Sequence, residues 1–227
     1  MHNPPARARL LNLGPMAQLR AGKLPMRLSR LGVGLVLYGL SVAMMIRAGI
    51  GAAPWDVVHQ GLARHLPLSF GVVMVLASIA VLLTWIPLRQ MPGLGTIANT
   101  LMIGPFANLG LALIATPDAL WARVLLMLGG VLLCGFATGL YIGAQLGTGP
   151  RDGLMTGLAR RSGWPIRRVR TLIEVAVLLA GVLLGGVVGA GTLVFALGVG
   201  PATQYFLPRL VVPLETAPPV TAQHAET

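Results

Sequence analysis

Two stretches of this chain, "GAAPWDVVHQGLARH" at residues 51–65 and "GTGPRDGLMTGLARR" at residues 147–161, share one residue pattern. In both, a glycine precedes a proline, an aspartate follows two residues later, and an arginine comes eight residues after the aspartate. Proline fits the first turn of a helix, and a carboxylate there meets free N–H groups and the positive end of the helix dipole. Each stretch therefore predicts a short helix of about twelve residues, ~18 Å long, or about half a bilayer.

The similarity extends well beyond these two stretches. Residues 31–108 align with residues 127–204 at a constant shift of 96 without a gap, and 25 of the 78 positions are identical. We interpret this as an internal duplication, and two residues related by the shift are termed counterparts. The identical pairs with special backbone geometry or chemistry are Gly51/Gly147, Pro54/Pro150, Asp56/Asp152, Gly61/Gly157, Arg64/Arg160, Gly95/Gly191, Thr96/Thr192, Gly104/Gly200 and Pro105/Pro201.

Composition predicts an integral membrane protein. Hydrophobic residues make up 55% of the 227 residues, charged residues only 10%, and the mean hydropathy is +0.79. Such a chain is solvated by lipid, so the lipid bilayer is its expected partner. The net charge of +11 does not point to nucleic acid, because aromatic residues are only 5% of the chain, too few to stack bases.

Six apolar spans have the length that a bilayer requires, about 20 residues each. They lie at 31–49, 70–88, 95–115, 122–145, 170–188 and 192–208. Each copy of the duplication contains three of them, and an odd number inserts the second copy upside down. The predicted fold is an all-α membrane protein with six transmembrane helices in a 3+3 inverted repeat. Each half has a short re-entrant or interfacial helix after its first span.

Charge asymmetry orients this arrangement. We divide the chain into a basic cytoplasmic tail at 1–30, three-helix repeats at 31–115 and 122–208, and a disordered cytoplasmic tail at 209–227. With the N-terminus inside, 14 Lys and Arg residues lie on the cytoplasmic side and three, Arg47, Arg64 and Arg123, lie outside. This positive-inside bias predicts that both termini are cytoplasmic.

The two short helices allow two interpretations. As interfacial helices they lie flat on the membrane, with the aspartate stabilising the helix start and the arginine anchoring lipid phosphate. As re-entrant half-helices they dip to the midplane and offer N–H groups to a solute. The second interpretation gives the candidate solute-binding residues. They are Gly51, Pro54, Asp56, Arg64, Asn108, Gly147, Gly149, Pro150, Arg151, Asp152, Arg160, Glu174 and Gln204.

Other polar residues in the spans also have alternative roles. Glu174 lies inside the fifth span, where a carboxylate points to function, although it can pair with Arg167 or Arg170 instead. Asn108 and its counterpart Gln204 can bind a solute or join helices.

Metal and enzyme sites have little support from the sequence. His59 and His65 have no further ligands at zinc spacing, and Cys134 is the only cysteine, which excludes disulfides. No catalytic set of side chains is evident, so neither an enzyme nor a cofactor is predicted.

Five phrases carry a resemblance to a known family. These are "GIGAAPWDVV", "PGLGTIANTLMIGP", "GTGPRDGLMTGLARR", "RRVRTLIEVAVLL" and "GTLVFALGVGP". Across roughly residues 30–208 the chain resembles the YczE/YyaS/YitT group of bacterial integral membrane proteins, most closely its YczE-like branch. The resemblance implies a multi-span protein of the bacterial inner membrane and supplies no catalytic or substrate residues. Asn108 stands where relatives are expected to carry an acid, which argues against cation binding there.

Two functions follow from these features. The first is a secondary carrier for a small solute, an anion among the candidates, with Asp56, Arg64, Arg151, Asp152, Arg160 and Glu174 around a central cavity. The second is a non-transporting membrane protein that supports a partner complex or a biosynthetic pathway, with the repeat serving as a packing device.

Overall fold

The structure is a computed structural model, and it describes Leu10 and residues 14–214. Within this part of the chain all regular secondary structure is helical, which confirms the predicted all-α class. The helices are α1 Pro15–Arg20, α2 Leu24–Ala48, α3 Pro54–His65, α4 Phe70–Leu83, α5 Trp85–Leu88, α6 Leu94–Leu113, α7 Leu120–Gly143, α8 Pro150–Ser162, α9 Ile166–Leu183 and α10 Ala190–Leu210.

Five segments of the described chain are long and apolar enough to cross a membrane. They are α2, α4 together with α5, α6, α7 and α10. The remaining predicted span overlaps α9, which carries four charged residues in its first three turns and so falls outside this set. These four residues are Arg167, Arg168, Arg170 and Glu174.

The two short helices begin at the predicted prolines, Pro54 and Pro150. The loop before each helix contains a glycine with a positive φ angle, +120° at Gly51 and +127° at Gly147. Residues with a Cβ rarely adopt this backbone geometry, so glycine is required at both positions. The same local sequence therefore produces the same backbone turn in both halves.

Each of these loops contacts the start of a helix in the other half. The Gly191 N–H, at the start of α10, donates to the Ile50 carbonyl at 2.8 Å. The counterpart bond runs from the Gly95 N–H, at the start of α6, to the Leu146 carbonyl at 2.7 Å. The two halves thus bond to each other through matching atoms.

Helices α2 and α7 are counterparts, and they pack against each other in antiparallel orientation. A methyl group on Gly34, near the middle of α2, would lie 2.9 Å from the backbone nitrogen of Tyr141, near the end of α7. A methyl group on Gly130, near the middle of α7, would lie 2.7 Å from the side chain of Met45, near the end of α2. Because Gly130 and Tyr141 are the counterparts of Gly34 and Met45, the contact is reciprocal.

Arg27 lies in α2 and not in a tail. The helix begins at Leu24, before the span predicted from residue 31, and Arg27 is fully buried. Its guanidinium donates to the Ala144 and Gln145 carbonyls at 2.8 and 2.7 Å, just past the end of α7. A cation there satisfies free carbonyls and the negative end of the helix dipole.

The first and last described segments meet at one face of the molecule. Lys23 Nζ donates to the Pro213 carbonyl at 2.9 Å, and Arg30 donates to the Leu210 carbonyl. Val212 is buried. The start of the predicted C-terminal tail is thus ordered, while residues 215–227 lie outside the described part of the chain.

Candidate solute-binding cavity

A cavity of about 290 Å³ lies between the two halves. We call it the central cavity. Helices α2, α4, α6, α7, α8, α9 and α10 all contribute to its wall. Its polar lining residues include Tyr38, Asn99, Thr100, Thr138, Tyr141, Arg151, Asp152, Arg170, Thr203 and Gln204.

Counterpart residues from both halves face this cavity together. Because both members of several pairs line it, the cavity lies where equivalent parts of the two halves meet. The pairs are Met74/Arg170, Asn99/Phe195, Ile103/Val199 and Gly104/Gly200. In three of the four pairs the two residues differ, so the wall of the cavity is chemically asymmetric.

The first turn of α8 forms part of the wall, as Gly149, Pro150, Arg151 and Asp152 line the cavity. The Tyr141 hydroxyl donates to Asp152 Oδ2 at 3.3 Å, which holds the carboxylate beside the cavity. Four of the predicted site residues therefore meet at one place.

Trp85 fixes the position of α8 from the other half. Its indole N–H donates to the Pro150 carbonyl at 3.0 Å. Its ring occupies the space beside Gly153, where a methyl group would lie 1.9 Å from a ring carbon. The absence of a side chain at Gly153 therefore lets α8 pack directly on the indole.

Arg151 connects the two short helices. Its guanidinium lies over the ring of Trp55, 4.9 Å from the ring centroid, and its Nη2 atom is 4.0 Å from Oδ1 of Asp56. Asp56 is only 2% exposed, and it lies behind Arg151 and not in the cavity wall. The first turns of α3 and α8 thus form one charged cluster.

Several predicted site residues lie away from the central cavity. Arg64 is exposed and lines a separate hollow with Gly51 and Gln60. Arg160 is exposed near the end of α8. Pro54 is buried at the start of α3, and Gly147 lies in the loop before α8.

Asn108 and Glu174 have identified structural partners. The Asn108 side chain accepts a hydrogen bond from the Gly71 N–H at 2.8 Å and donates to the Ser69 hydroxyl at 2.8 Å, which caps α4. Glu174 Oε1 accepts a hydrogen bond from Arg170 Nε at 2.9 Å. Of the five residues that form these contacts, only Arg170 lines the cavity. Gln204, the counterpart of Asn108, does line it.

Sequence reasoning missed the polar residues of α2, α6 and α7. Tyr38, Asn99, Thr100, Thr138 and Tyr141 line the cavity, yet none lies in the repeated phrase. Asn99 and Thr100 have the counterparts Phe195 and Ala196, so the duplication gave no signal for them. A search for polar residues inside apolar spans would have found them.

The described chain offers no cluster of three or more His, Cys, Asp and Glu side chains that could hold a metal ion.

Comparison with known proteins places the chain in a family. Residues 25–208 match the family described as "Family of unknown function (DUF6198)". The chain belongs to the DUF6198 family.

Curated relatives agree with this. An uncharacterized protein of Haemophilus influenzae is 42% identical over 180 residues, covering 77% of this chain and 83% of the relative. The uncharacterized membrane protein YczE of Bacillus subtilis is 29% identical, covering 78% and 84%. YyaS of the same organism is 25% identical, covering 78% and 90%. The predicted YczE/YyaS resemblance and the membrane assignment are thereby confirmed. No solved structure matches this DUF6198 protein.

Proposed function

We propose that this DUF6198 protein is a secondary carrier that moves a small anionic solute through the central cavity, in a bacterial inner membrane. The observation that carries the proposal is the cavity itself. It is lined by counterparts from both halves and by the first turn of α8, with Arg151 and Asp152 facing it. Carriers built from inverted repeats bind their solutes at the repeat interface, beside the N-termini of broken helices.

Reciprocal packing supports the inverted 3+3 arrangement. Helices α2 and α7 are counterparts and run antiparallel, so the operation that relates the halves reverses the direction of each helix. The matching hydrogen bonds of Gly95 and Gly191 across the halves are what a two-fold axis generates. An axis perpendicular to the helices lies in the plane of the membrane when the helices cross it.

The meeting of the first and last described segments supports six crossings. Lys23 and Pro213 are bonded at one face, and a chain that starts and ends on one side crosses an even number of times. Five apolar segments are long enough to cross, so an even number of crossings requires a sixth, which we assign to α9. The arginines in its first turns lie at its cytoplasmic end, where long basic side chains reach the interface.

Burial of the short helices supports re-entrant placement. In α3 every buried residue lies between Pro54 and Gly61, whereas Arg64 and His65 at its end are exposed. In α8 every buried residue lies between Pro150 and Gly157, and residues 160–162 at its end are exposed. A helix lying flat on a surface buries one face along its whole length, whereas a helix that enters a protein is buried at one end.

The cavity chemistry supports a small anion. The guanidinium groups of Arg151 and Arg170 line the wall, and the start of α8 adds N–H groups and a positive dipole end. Apolar residues such as Met74 and Phe195 complete the lining. A volume of about 290 Å³ suits a small organic molecule.

Ligand-induced stabilisation followed by uptake tests this function. We would screen purified protein against small carboxylates and organic phosphates for raised thermal stability, since a bound ligand stabilises the folded state. Compounds that stabilise it would then be offered to proteoliposomes. Arg151→Gln should abolish both effects. The matched control is Arg161→Gln, because Arg161 donates to the Pro87 carbonyl outside the cavity and its loss should change neither.

Two results would contradict the carrier proposal. One is a screen in which none of the anions stabilises the protein or enters the vesicles. The other is an Arg151→Gln variant that binds and transports as the native protein does. Either result favours the alternative, a membrane protein that supports a partner complex.

Topology can be tested separately by cysteine labelling. In a chain whose buried Cys134 is replaced by alanine, a cysteine in the 116–118 loop should react with an impermeant reagent outside intact cells. Cysteines at positions 14 or 214 should react only after the cells are opened. Equal labelling at all three positions would exclude six crossings with both ends inside.

A further inference from the structure

A buried acid–base pair lies on α3 behind the central cavity. Asp56 and His59 are 2% and 1% exposed, and Oδ1 of the acid is 3.4 Å from Nδ1 of the imidazole. Within the described residues neither of these two atoms has a hydrogen-bond partner. A buried polar atom left unpaired destabilises the folded state, so such a pair calls for a reason other than stability.

The same carboxylate oxygen has a second cationic neighbour. Arg151 Nη2 is 4.0 Å from Oδ1 of Asp56, and the guanidinium also borders the central cavity. Asp56 and Arg151 are the charged groups that act on His59. One oxygen therefore lies between an imidazole that can take up a proton and a guanidinium that faces the cavity.

Other elements around the pair contribute few titratable groups. On α4 the ring of Phe70 lies 6.0 Å from the His59 ring, and that helix has no charged residue. The part of α9 that meets α3 is at Gly181, beyond its charged turns. Tyr38 on α2 and Cys134 on α7 interact electrostatically with Asp56, and both are buried or half-buried.

We propose that Asp56 and His59 form a proton-binding site, and that proton binding there promotes anion binding at Arg151 in the central cavity. This inference rests on the proposed carrier function and names its coupling ion.

The coupling follows from the shared oxygen. With His59 neutral, Arg151 supplies the positive charge beside Asp56. When a proton from water adds to Nδ1 of His59, the imidazolium donates a hydrogen bond to Oδ1 and balances the carboxylate. Arg151 is then released to pair with an anion in the cavity. By linkage, the anion increases proton affinity by the same factor.

Charge balance favours moving the two together. Adding one proton and one monovalent anion leaves the net charge of the cluster unchanged. An unbalanced charge inside a bilayer is costly, so loading both particles together avoids that cost. The arrangement is therefore that of a proton–anion symporter.

Nitrogen NMR of the histidine rings tests the inference without a transported solute. Full-length protein with ¹⁵N-labelled imidazoles would be titrated in lipid nanodiscs, with the His59 signal assigned by His59→Gln. We expect His59 to change from imidazolium to neutral ring within about pH 5–8, at a midpoint below that of a free histidine, because burial lowers the pKa of its ring. Asp56→Asn should lower the titration midpoint by roughly 1–3 pH units, and Arg151→Gln should raise it. The signal of the exposed His65 on the same helix reports whether each variant keeps its native fold.

The inference is overturned if His59 keeps one charge state throughout this range, or if its midpoint is the same in Asp56→Asn. If either Asp56→Asn or Arg151→Gln loses the native His65 signal, that variant has lost its native fold, and the other variant provides the test. These outcomes are independent of uptake, so a silent His59 in a protein that transports an anion overturns only the proton site. A responsive His59 in a protein that transports nothing overturns the carrier function instead.

Discussion

The two halves differ most where their second and third long helices meet. In the first half α4 packs closely on α6, and a methyl group on Gly104 would lie 2.2 Å from the Gly71 carbonyl oxygen. In the second half, a methyl group on the counterpart Gly200 would face open space, with no contacting atom of the described residues within 4 Å. The glycine at this repeated position therefore packs against the neighbouring helix in the first half and borders an opening in the second half.

Side chains at the start of the second long helix explain this difference. Gly71 has the counterpart Arg167, and Ser69 has the counterpart Pro165. An arginine cannot reproduce the backbone contact that two glycines make, and a proline has no hydroxyl to bond an amide. The two halves therefore share a backbone plan at this place, while the side chains of the second half leave one side of the central cavity open.

In the carrier that we propose, this asymmetry suits alternating access, in which one repeat rocks or gates against the other around a fixed site. Gly104 then belongs to the closed wall and Gly200 to the opening. Comparing equivalent substitutions in the two halves tests this interpretation.

The largest expected effect is on the closed wall. Gly104→Ala places a methyl group against the Gly71 backbone, and neither helix can yield without moving as a whole. We expect a loss of about 3 kcal/mol of stability, at the upper end of overpacking costs. Gly200→Ala should cost nothing and can gain up to about 1 kcal/mol from helix propensity. Thermal unfolding of the two variants in detergent measures this difference in stability. Equal losses in both variants would contradict the interpretation.

The loop glycines should show the opposite behaviour, an equal effect in both halves. Gly51→Ala and Gly147→Ala each force a residue with a Cβ into a positive φ angle, and the methyl group would lie 2.8 Å from Thr192 or Thr96 atoms. Each substitution should cost roughly 2 kcal/mol. The measurement is the same thermal unfolding. A difference of more than about 1 kcal/mol between the two would show that the loops are not equivalent.

The sequence was sufficient to predict the helices that begin at special residues. Pro54 and Pro150 mark the starts of the short helices, because proline, glycine and aspartate act locally. Five of the six predicted apolar spans were equally readable, because lipid imposes a length; the charged start of α9 keeps the predicted fifth span outside this set. The start of α2 was missed, because the burial of Arg27 depends on carbonyl groups at the end of α7, more than a hundred residues away.

The central cavity was only partly predictable. Arg151 and Asp152 were identified because they lie in the repeated phrase, and Gln204 because it follows a Gly-Pro pair that occurs in both halves. Tyr38 and Asn99 were not, because their role depends on which helix faces turn inward. Asn108 and Gln204 occupy equivalent positions, yet the sequence could not distinguish a helix cap from a cavity residue, because that difference arises from Arg167 and Pro165.

The different contacts of Asn108 and Gln204 predict a smaller effect on stability that distinguishes their roles. Asn108→Ala removes the acceptor for the Gly71 N–H and should cost about 1 kcal/mol of stability. Gln204→Ala should leave stability unchanged, because its side chain is exposed at the cavity. In the carrier it should instead weaken the binding of any anion found in the screen. Unfolding and ligand titration on both variants would separate the two roles, and identical profiles would argue that neither is specialised.

The smallest effect is expected at Glu174, the one carboxylate in the charged turns of α9. Its pairing with Arg170 links residues four positions apart on a helix, with side chains 34% and 56% exposed. Exposed pairs of this kind contribute about 0.3–0.5 kcal/mol, so Glu174→Gln should barely change the unfolding temperature. The counterpart Ser78 lines the central cavity and Glu174 does not, so uptake should also be unaffected. Loss of uptake with unchanged stability would instead make Glu174 part of the transport path, and would mean that α9 moves toward α10 during the cycle.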